Sequence, residues 1–153
     1  MPINPKNKKE EARAVLLRHL GLPKNTGILL VSYIQDEKIF QFFQSACIAM
    51  NIVLLSDTDD ITLEGADIWI TDSLNDSIPL SSLCKNGVVP VIPDQIENSL
   101  WSEFNPMKFE WNAFIFSELN EFRMFASLIR AIENMRYPGD KRMLLQNVIS
   151  TKI

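Results

Sequence analysis

Three polar segments each follow a short apolar run, and they hold the side chains of this chain best suited to bind a ligand. They are residues 33–38, which end at Lys38; residues 71–76, which lead toward Ser81 and Ser82; and residues 93–95. A lysine beside the start of a helix could bind a phosphate group, because backbone N–H groups at a helix N-terminus carry partial positive charge. The same residues would serve equally well as helix caps and turns. The sequence leaves both interpretations open.

The spacing of apolar residues predicts the elements that would carry these segments. Continuous apolar runs predict strands buried on both faces over residues 27–33, 51–56, 66–71, 88–92 and 113–116. Apolar residues at helical spacing predict helices over residues 8–20, 36–50, 79–86, 120–136 and 140–149. Strands that alternate with helices form a doubly wound parallel sheet with helices on both faces. We therefore predict one α/β domain over residues 1–153, with its sheet core at 27–116 and C-terminal helices at 120–149.

This sheet would bring the polar segments to one rim. Open parallel sheets bind ligands beyond the carboxyl ends of their strands, where the following loops meet. All three segments follow a predicted strand. We therefore expect Lys38 and Asp76 to lie across a common crevice.

Composition excludes several classes of function. The formal net charge of −4 at pH 7 offers no basic surface for nucleic acid or anionic lipid. The apolar runs are too short to span a bilayer, and the first residues lack the apolar stretch of a secretory signal. The single histidine, His19, excludes a histidine metal cluster, and we expect no cofactor. Cys47 and Cys84 lie in apolar stretches, which is typical of reduced core thiols and predicts a cytoplasmic protein.

Two further segments have no assigned role at this point. Residues 57–60 are acidic and would either hold a divalent cation or mark a shortened loop. Residues 94–112 form one long connection, of a kind that is often functional. It carries four aromatic residues: Trp101, Phe104, Phe109 and Trp111. These rings could cover a partner protein, stack on sugar rings or fill the core of their own domain.

The order of motifs along the chain resembles the second Rossmann-like half of retaining GT-B glycosyltransferases, with glycogen and starch synthases most similar. The motifs extend over nearly the whole chain from about residue 7, and it is their order rather than any one of them that is specific. Residues 7–23 resemble the helix and "LGLP" entry, 31–38 the "VSRLxxQK" segment, 65–76 "ADxxxxPSxxE", 86–92 "YGTxPxV", and 112–116 with 125–132 "GFxF…LxxAIxxAL".

The resemblance implies a site for ADP-glucose or UDP-glucose and transfer of glucose to an α-glucan. Lys38 and Asp76 would then be the catalytic residues. The residues that would bind the substrate are Tyr33, Asp72, Asn75, Ser81 and Ser82.

Several positions depart from the family pattern. Tyr33 stands where the family has an arginine that contacts the donor phosphates, and a phenol supplies one neutral donor in place of a charged fork. Asp76 stands at the first of two family glutamates, and the second falls near Ser82. Only ten residues separate Leu55 from Ala66, where the family has a further strand and helix. We therefore expect weak or no activity from this chain alone, and a partner that is an N-terminal glycosyltransferase half or a second copy of the chain.

Two alternative functions remain open. A receiver-like signalling domain would use Asp36 and Glu37 as its acidic pair and Asp72 as its phosphoacceptor. It would also need a hydroxyl after the fourth strand and a lysine after the fifth, where this chain has Pro93 and Ser117. A non-catalytic interaction module would use the aromatic residues of 94–112.

Overall fold

The computed structural model describes residues 4–73, 80–96 and 101–151, which contain one five-stranded sheet and its flanking helices. The helices are α1 (Pro5–His19), α2 (Glu37–Ala49), α3 (Asp60–Gly65), α4 (Leu80–Lys85), α5 (Glu121–Arg136) and α6 (Pro138–Ile149). The strands are β1 (Leu29–Tyr33), β2 (Val53–Leu55), β3 (Ile68–Thr71), β4 (Val89–Pro93) and β5 (Phe114–Phe116). A single 3-10 turn, Asp94–Ile96, follows β4.

All strand pairs in the sheet are parallel, and their order is β2-β1-β3-β4-β5. Leu30 of β1 stands opposite Leu54 on one side and Ile68 on the other. The chain moves outward from β1 to β2 and then returns past β1 to β3, so the winding direction reverses between β1 and β3. This confirms the predicted doubly wound α/β fold, and it places the switch point, where such folds bind ligands, between β1 and β3.

Helices cover both faces of the sheet. Successive residues of β1 point to opposite faces, so Leu29 packs with Leu16 and Leu17 of α1, whereas Leu30 joins the main core with Phe43 of α2. The helix α1 lies along α3, and α2 lies beside α5. The strands of the centre are buried along their length, which is why they appear in the sequence as continuous apolar runs.

A buried ion pair holds α1 to the amino-terminal edge of the sheet. The Asp67 carboxylate, just before β3, accepts a 2.8 Å hydrogen bond from the backbone N–H of Leu29. It also forms an ion pair with Arg13, whose Nε lies 3.1 Å from Asp67 Oδ1. Arg13 Nη2 also donates to the carbonyls of Thr26 at 3.1 Å and Gly27 at 2.7 Å. Every charged group in this pair therefore has hydrogen-bond partners, which offsets the cost of taking it out of water.

The outer edge of β5 is closed by side chains. The backbone N–H of Ile115 donates to Glu103 Oε2 at 2.6 Å, and its carbonyl accepts from Arg130 Nη2 at 3.0 Å and from Ser127 Oγ at 3.0 Å. Arg130 Nε in turn contacts Glu103 Oε1 at 2.9 Å. These contacts satisfy the backbone groups that an edge strand leaves unpaired.

The acidic segment 57–60 leads into the short helix α3, of which Asp60 is the first residue, and the expectation that it marks a shortened loop stays a prediction. The side chain of Asp59 caps α3 by accepting a 2.8 Å hydrogen bond from the backbone N–H of Thr62. Asp57 accepts from the backbone N–H of Asp59 at 3.3 Å. No group of three or more potential metal ligands forms among the described residues, so the cation alternative gains no support.

Both cysteines are free and buried, as predicted. Burial raises the pKa of Cys47 to about 11 and that of Cys84 to about 12, because a thiolate is poorly solvated in an apolar core. Within the described ranges, none of the helices is both long and apolar enough to cross a membrane.

Candidate functional site

Direct hydrogen bonds join the carboxyl ends of β1 and β3 at the switch point. The Asp72 carboxylate accepts from the backbone N–H groups of Gln35, at 2.9 and 3.1 Å, and of Asp36, at 2.9 Å. Thr71 Oγ1 donates to the carbonyl of Tyr33 at 3.0 Å. The loop after β1 is therefore fixed by the residue that follows β3.

The N-terminus of α2 follows β1 at this edge of the sheet, and carboxylates of the chain itself accept hydrogen bonds there. Asp36 is the N-cap residue, and its side chain accepts a 3.0 Å hydrogen bond from the backbone N–H of Ile39. Glu37 lies in the first turn, and Asp72 binds the two N–H groups just before the helix. A phosphate placed here would compete with these carboxylates for the N–H groups that they bind, and their negative charge would repel it.

Lys38 extends along the rim toward α5. Its side chain is 83% exposed, and Nζ lies 3.8 Å from Glu121 Oε1. An ion pair with so much solvent around one partner contributes little to stability. Lys38 is therefore an exposed cation at the rim, weakly paired with Glu121.

The other predicted site residues lie apart from this network or outside the described residues. Tyr33 is half-buried and packs against the core, so its ring is committed to the fold. Ser82 uses its backbone carbonyl to accept from the backbone N–H of Asn86 at 3.2 Å. Asn75 and Asp76 lie outside the described residues, as does the side chain of Ser81. The predicted convergence of Lys38 and Asp76 stays a prediction.

Of the comparisons with known proteins, the comparison with solved structures gives a match. No family model and no curated protein matches the sequence. Among solved structures, the catalytic domain of starch synthase IV from Arabidopsis thaliana, bound to ADP and acarbose, matches with a TM-score of 0.70 and 16% sequence identity. The match covers 98% of this chain and 41% of that one, so the chain spans less than half of the starch synthase domain. This chain has the fold of a GT-B glycosyltransferase half.

The rim of this GT-B half is strongly acidic. Each segment from a strand end through the first turn of the next helix carries at least one carboxylate. In the described part of the rim there are nine: Asp36, Glu37, Asp57, Asp59, Asp60, Asp72, Asp94, Glu118 and Glu121. The same segments hold two cations, Lys38 and Arg123. This excess of carboxylates was not predicted from the sequence, although an acidic residue follows each predicted strand within a few positions.

Two of the four aromatic residues in the long connection belong to the core. Trp101 and Phe104 are buried, whereas Phe109 and Trp111 are almost half exposed. Both exposed residues have positive φ, 53° and 70°, which is unusual for large side chains, and Asn147 Nδ2 donates to both of their carbonyls at 2.9 Å. Two of these four rings therefore fill the core of their own domain, and the other two remain on the surface.

The receiver-like alternative is not favoured. Its proposed phosphoacceptor, Asp72, accepts hydrogen bonds from two backbone N–H groups and fixes a loop. Its proposed acidic pair is a helix cap, Asp36, followed by an exposed first-turn residue, Glu37. The solved structure that shares the fold of this chain is a starch synthase catalytic domain.

Proposed function

We propose that this chain is a non-catalytic GT-B half that binds a nucleotide sugar weakly and does not transfer glucose by itself. The observation that carries the proposal is the pair of carboxylates, Asp36 and Asp72, at the N-terminus of α2. At the switch point, where a doubly wound fold holds a diphosphate, they accept from the backbone N–H groups of Gln35, Asp36 and Ile39, so a diphosphate there would meet two carboxylates. The motif order and the fold shared with starch synthase IV support a descent from donor-binding domains.

Glucosyl transfer requires that cations and N–H donors stabilise the departing diphosphate. In the described part of the crevice, Lys38 is the cation nearest to the switch point, and Tyr33 stands where the family has an arginine. Carboxylates at the same rim repel a diphosphate, and the repulsion grows as its charge increases in the transition state. These terms lower affinity for the donor and lower the rate of transfer even further.

Residual binding would depend on Lys38. Its Nζ can leave Glu121 and contact a phosphate oxygen of ADP-glucose or UDP-glucose at small cost, since the present pair is exposed. From the family resemblance, Lys38 and Asp76 are proposed at the catalytic positions, and the proposed substrate-binding residues are Tyr33, Asp72, Asn75, Ser81 and Ser82. An α-glucan is the acceptor that the same resemblance implies.

Titration calorimetry and a transfer assay test the two parts of this proposal. We expect weak heat with ADP-glucose or UDP-glucose, which falls with added salt and disappears in Lys38→Ala. The matched control is Lys24→Ala, which removes an exposed lysine from the loop before β1 and should leave binding unchanged. Labelled glucose should not reach a maltooligosaccharide. Transfer by the purified 153-residue chain would overturn the non-catalytic assignment, and absence of heat with both donors would overturn the binding assignment.

A second candidate is the donor half of a two-part glycosyltransferase. It is favoured by the extent of the match, because this chain corresponds to 41% of the starch synthase domain and a complete site of that kind would need a further half. Mixing the chain with an N-terminal glycosyltransferase half should then restore glucosyl transfer. Lack of transfer by the mixture, with both parts folded and bound to each other, would leave the first proposal in place.

A further inference from the structure

An aromatic cluster joins α2 to α5. We name it the α2–α5 cluster; its members are Phe42, Phe43, Phe122 and Phe125. The Phe42 ring meets the rings of Phe122 and Phe125 edge to face, with centroids 5.3 and 5.8 Å apart. Contacts of this kind fix the rings relative to one another. Because Phe122 is nevertheless 66% exposed, one aromatic ring of the cluster is both fixed in position and open to solvent.

The ion pair of Lys38 and Glu121 adjoins this exposed ring. Phe42 follows Lys38 by four residues on α2, a spacing that puts two Cβ atoms about 5–6 Å apart on one face of a helix. On α5, Glu121 directly precedes Phe122, and its Oε1 lies 3.8 Å from Lys38 Nζ. A cation, a carboxylate and an exposed aromatic ring are therefore neighbours where the two helices meet.

The carboxylate of Glu121 has room for further hydrogen bonds. Its side chain is only 17% exposed, yet in the described part of the chain the structure gives it one polar partner, the ammonium group of Lys38. Their separation of 3.8 Å is too long for a hydrogen bond. Carboxylates that are largely buried ordinarily accept hydrogen bonds, because they have lost most of their water. Glu121 can therefore accept from the hydroxyl groups of a bound ligand.

We propose that the α2–α5 cluster binds the nucleoside part of a nucleotide sugar, an inference that rests on the proposed function. Lys38 would contact a phosphate oxygen, Glu121 would accept from the ribose hydroxyl groups, and the base would stack on Phe122. The three groups match the three parts of a nucleotide, in which the ribose lies between phosphate and base. A nucleotide in this position would lie beside the N–H groups that Asp36 and Asp72 bind, without displacing either carboxylate.

Stacking on a single exposed ring favours a purine over a pyrimidine. Every base can stack on an aromatic side chain, and the larger purine covers more of the ring and removes more apolar surface from water. We therefore expect ADP and ADP-glucose to bind more tightly than UDP and UDP-glucose. Of the two donors that the family resemblance leaves open, this surface favours ADP-glucose.

Titration calorimetry with ADP and with inorganic pyrophosphate separates the contact of the base from that of the phosphates. We expect Phe122→Ser to weaken ADP binding by about tenfold, because the base loses its stacking surface. Pyrophosphate binding should be unchanged, which also shows that the variant is folded. Phe122→Trp, which keeps an aromatic face, should bind ADP at least as tightly as the unmodified chain.

The matched control is Tyr137→Ser. It removes a ring of similar exposure, 63%, just after the last residue of α5, and the Tyr137 side chain makes no capping hydrogen bond. This variant should bind both ligands as the unmodified chain does.

A change of ligand tests the contact of Glu121. Dideoxy-ADP, which lacks both ribose hydroxyl groups, should bind the unmodified chain several-fold more weakly than ADP, because the carboxylate loses its donors. Glu121→Ala should bind ADP and dideoxy-ADP equally. If Glu121 only repelled the phosphates, its removal would strengthen the binding of both nucleotides and would leave their ratio unchanged.

The outcomes distinguish this inference from the proposed function. ADP binding that is lost in Lys38→Ala but unchanged in Phe122→Ser would overturn the inference and leave the proposed function in place. Equal binding of ADP and dideoxy-ADP by the unmodified chain would do the same. A dimer that Phe122→Ser dissociates would also overturn the inference, since the ring would then lie between two copies of the chain. Absence of heat with every ligand would overturn both.

Discussion

The carboxylate of Asp72 accepts a 2.9 Å hydrogen bond from the backbone N–H of Asp36, which is itself the N-cap residue of α2. Two carboxylates thus lie at the start of a helix that follows β1 at the switch point. Their charge disfavours a diphosphate at this place in the fold. Four substitution or pH experiments follow from this arrangement and from the contacts that hold the fold.

Replacing Asp72 by asparagine should lower the stability of the fold and raise the affinity for ADP-glucose. The amide keeps one acceptor oxygen but loses the charge and one set of contacts, so we expect a loss of about 1–2 kcal/mol in the free energy of unfolding by urea. Removal of the charge should raise the affinity for ADP-glucose. The control is Glu118→Gln, which removes an exposed rim charge without breaking backbone contacts and should leave stability within about 0.5 kcal/mol. Unchanged stability in Asp72→Asn would contradict the role of Asp72 in fixing the loop.

Arg13→Leu should destabilise the fold strongly. It removes the partner of Asp67, whose carboxylate stays buried before β3, and it removes the donors to the carbonyls of Thr26 and Gly27. Loss of one member of a buried pair costs about 3–5 kcal/mol. The control is Arg136→Leu, since the pair of Arg136 with Glu133 is exposed on both sides. In chemical denaturation, the midpoint of Arg13→Leu should be clearly lower than that of Arg136→Leu. Similar midpoints would show that the Arg13–Asp67 pair contributes little to stability.

Lys9 predicts an unusual dependence of stability on alkaline pH. Its Nζ donates to the carbonyls of Glu64, at 3.0 Å, and Ala66, and burial lowers its pKa from 10.5 to about 8, with the nearby Asp67 opposing part of the effect. Between pH 8 and 10.5 the unfolded chain binds a proton that the folded chain does not. The contribution of Lys9 to stability therefore rises as pH increases through this window, and it is lost as pH falls through 8.

The measurement compares the unmodified chain with Lys9→Met across pH 8 to 10.5. The thiol groups of Cys47 and Cys84 titrate in both proteins, so their contribution cancels in the difference. We expect the stability of the unmodified chain relative to Lys9→Met to increase with pH. Lys24→Met, at an exposed lysine, should give a flat difference. A flat difference for Lys9→Met as well would mean that the ammonium is solvated in the folded chain.

Gly65 marks the closest approach of α1 to α3. A Cβ atom added there would lie 2.6 Å from Leu16 Cβ and 2.7 Å from the carbonyl oxygen of Ala12. Gly65→Ala should therefore force the helices apart and cost about 1–3 kcal/mol. Gly139→Ala is the matched control, because nothing lies within 4 Å of its added Cβ and alanine is the better helix former in α6. Thermal unfolding should show opposite shifts, and equal shifts would contradict the tight packing of α1 on α3.

The sheet and the long helices could be predicted from the sequence because their apolar residues repeat with a clear period. Runs such as Leu29–Tyr33 and Val89–Pro93 are apolar at every position since both faces are buried. The helix α3 was missed because six residues are too few for a periodic pattern, and its acidic cap resembles a turn.

The strand order puts Lys38 and Asp72 after neighbouring strands, β1 and β3, at the same edge of the sheet. The predicted convergence of Lys38 with Asp76 stays a prediction, since Asp76 lies outside the described residues. The partners of Lys38 and Asp72 could not be predicted, because the Asp72 carboxylate meets backbone donors 36 and 37 residues away in the sequence. Arg13 and Asp67 were missed for the same reason, since their pairing depends on how α1 packs against the sheet.

The side chains that close β5 limit how the sheet can grow. Glu103, Ser127 and Arg130 already satisfy the outward N–H and C=O groups of Ile115, so a sixth strand could pair there only by displacing them. Strand exchange between molecules, and the fibrous aggregation that begins with it, is therefore suppressed along this side.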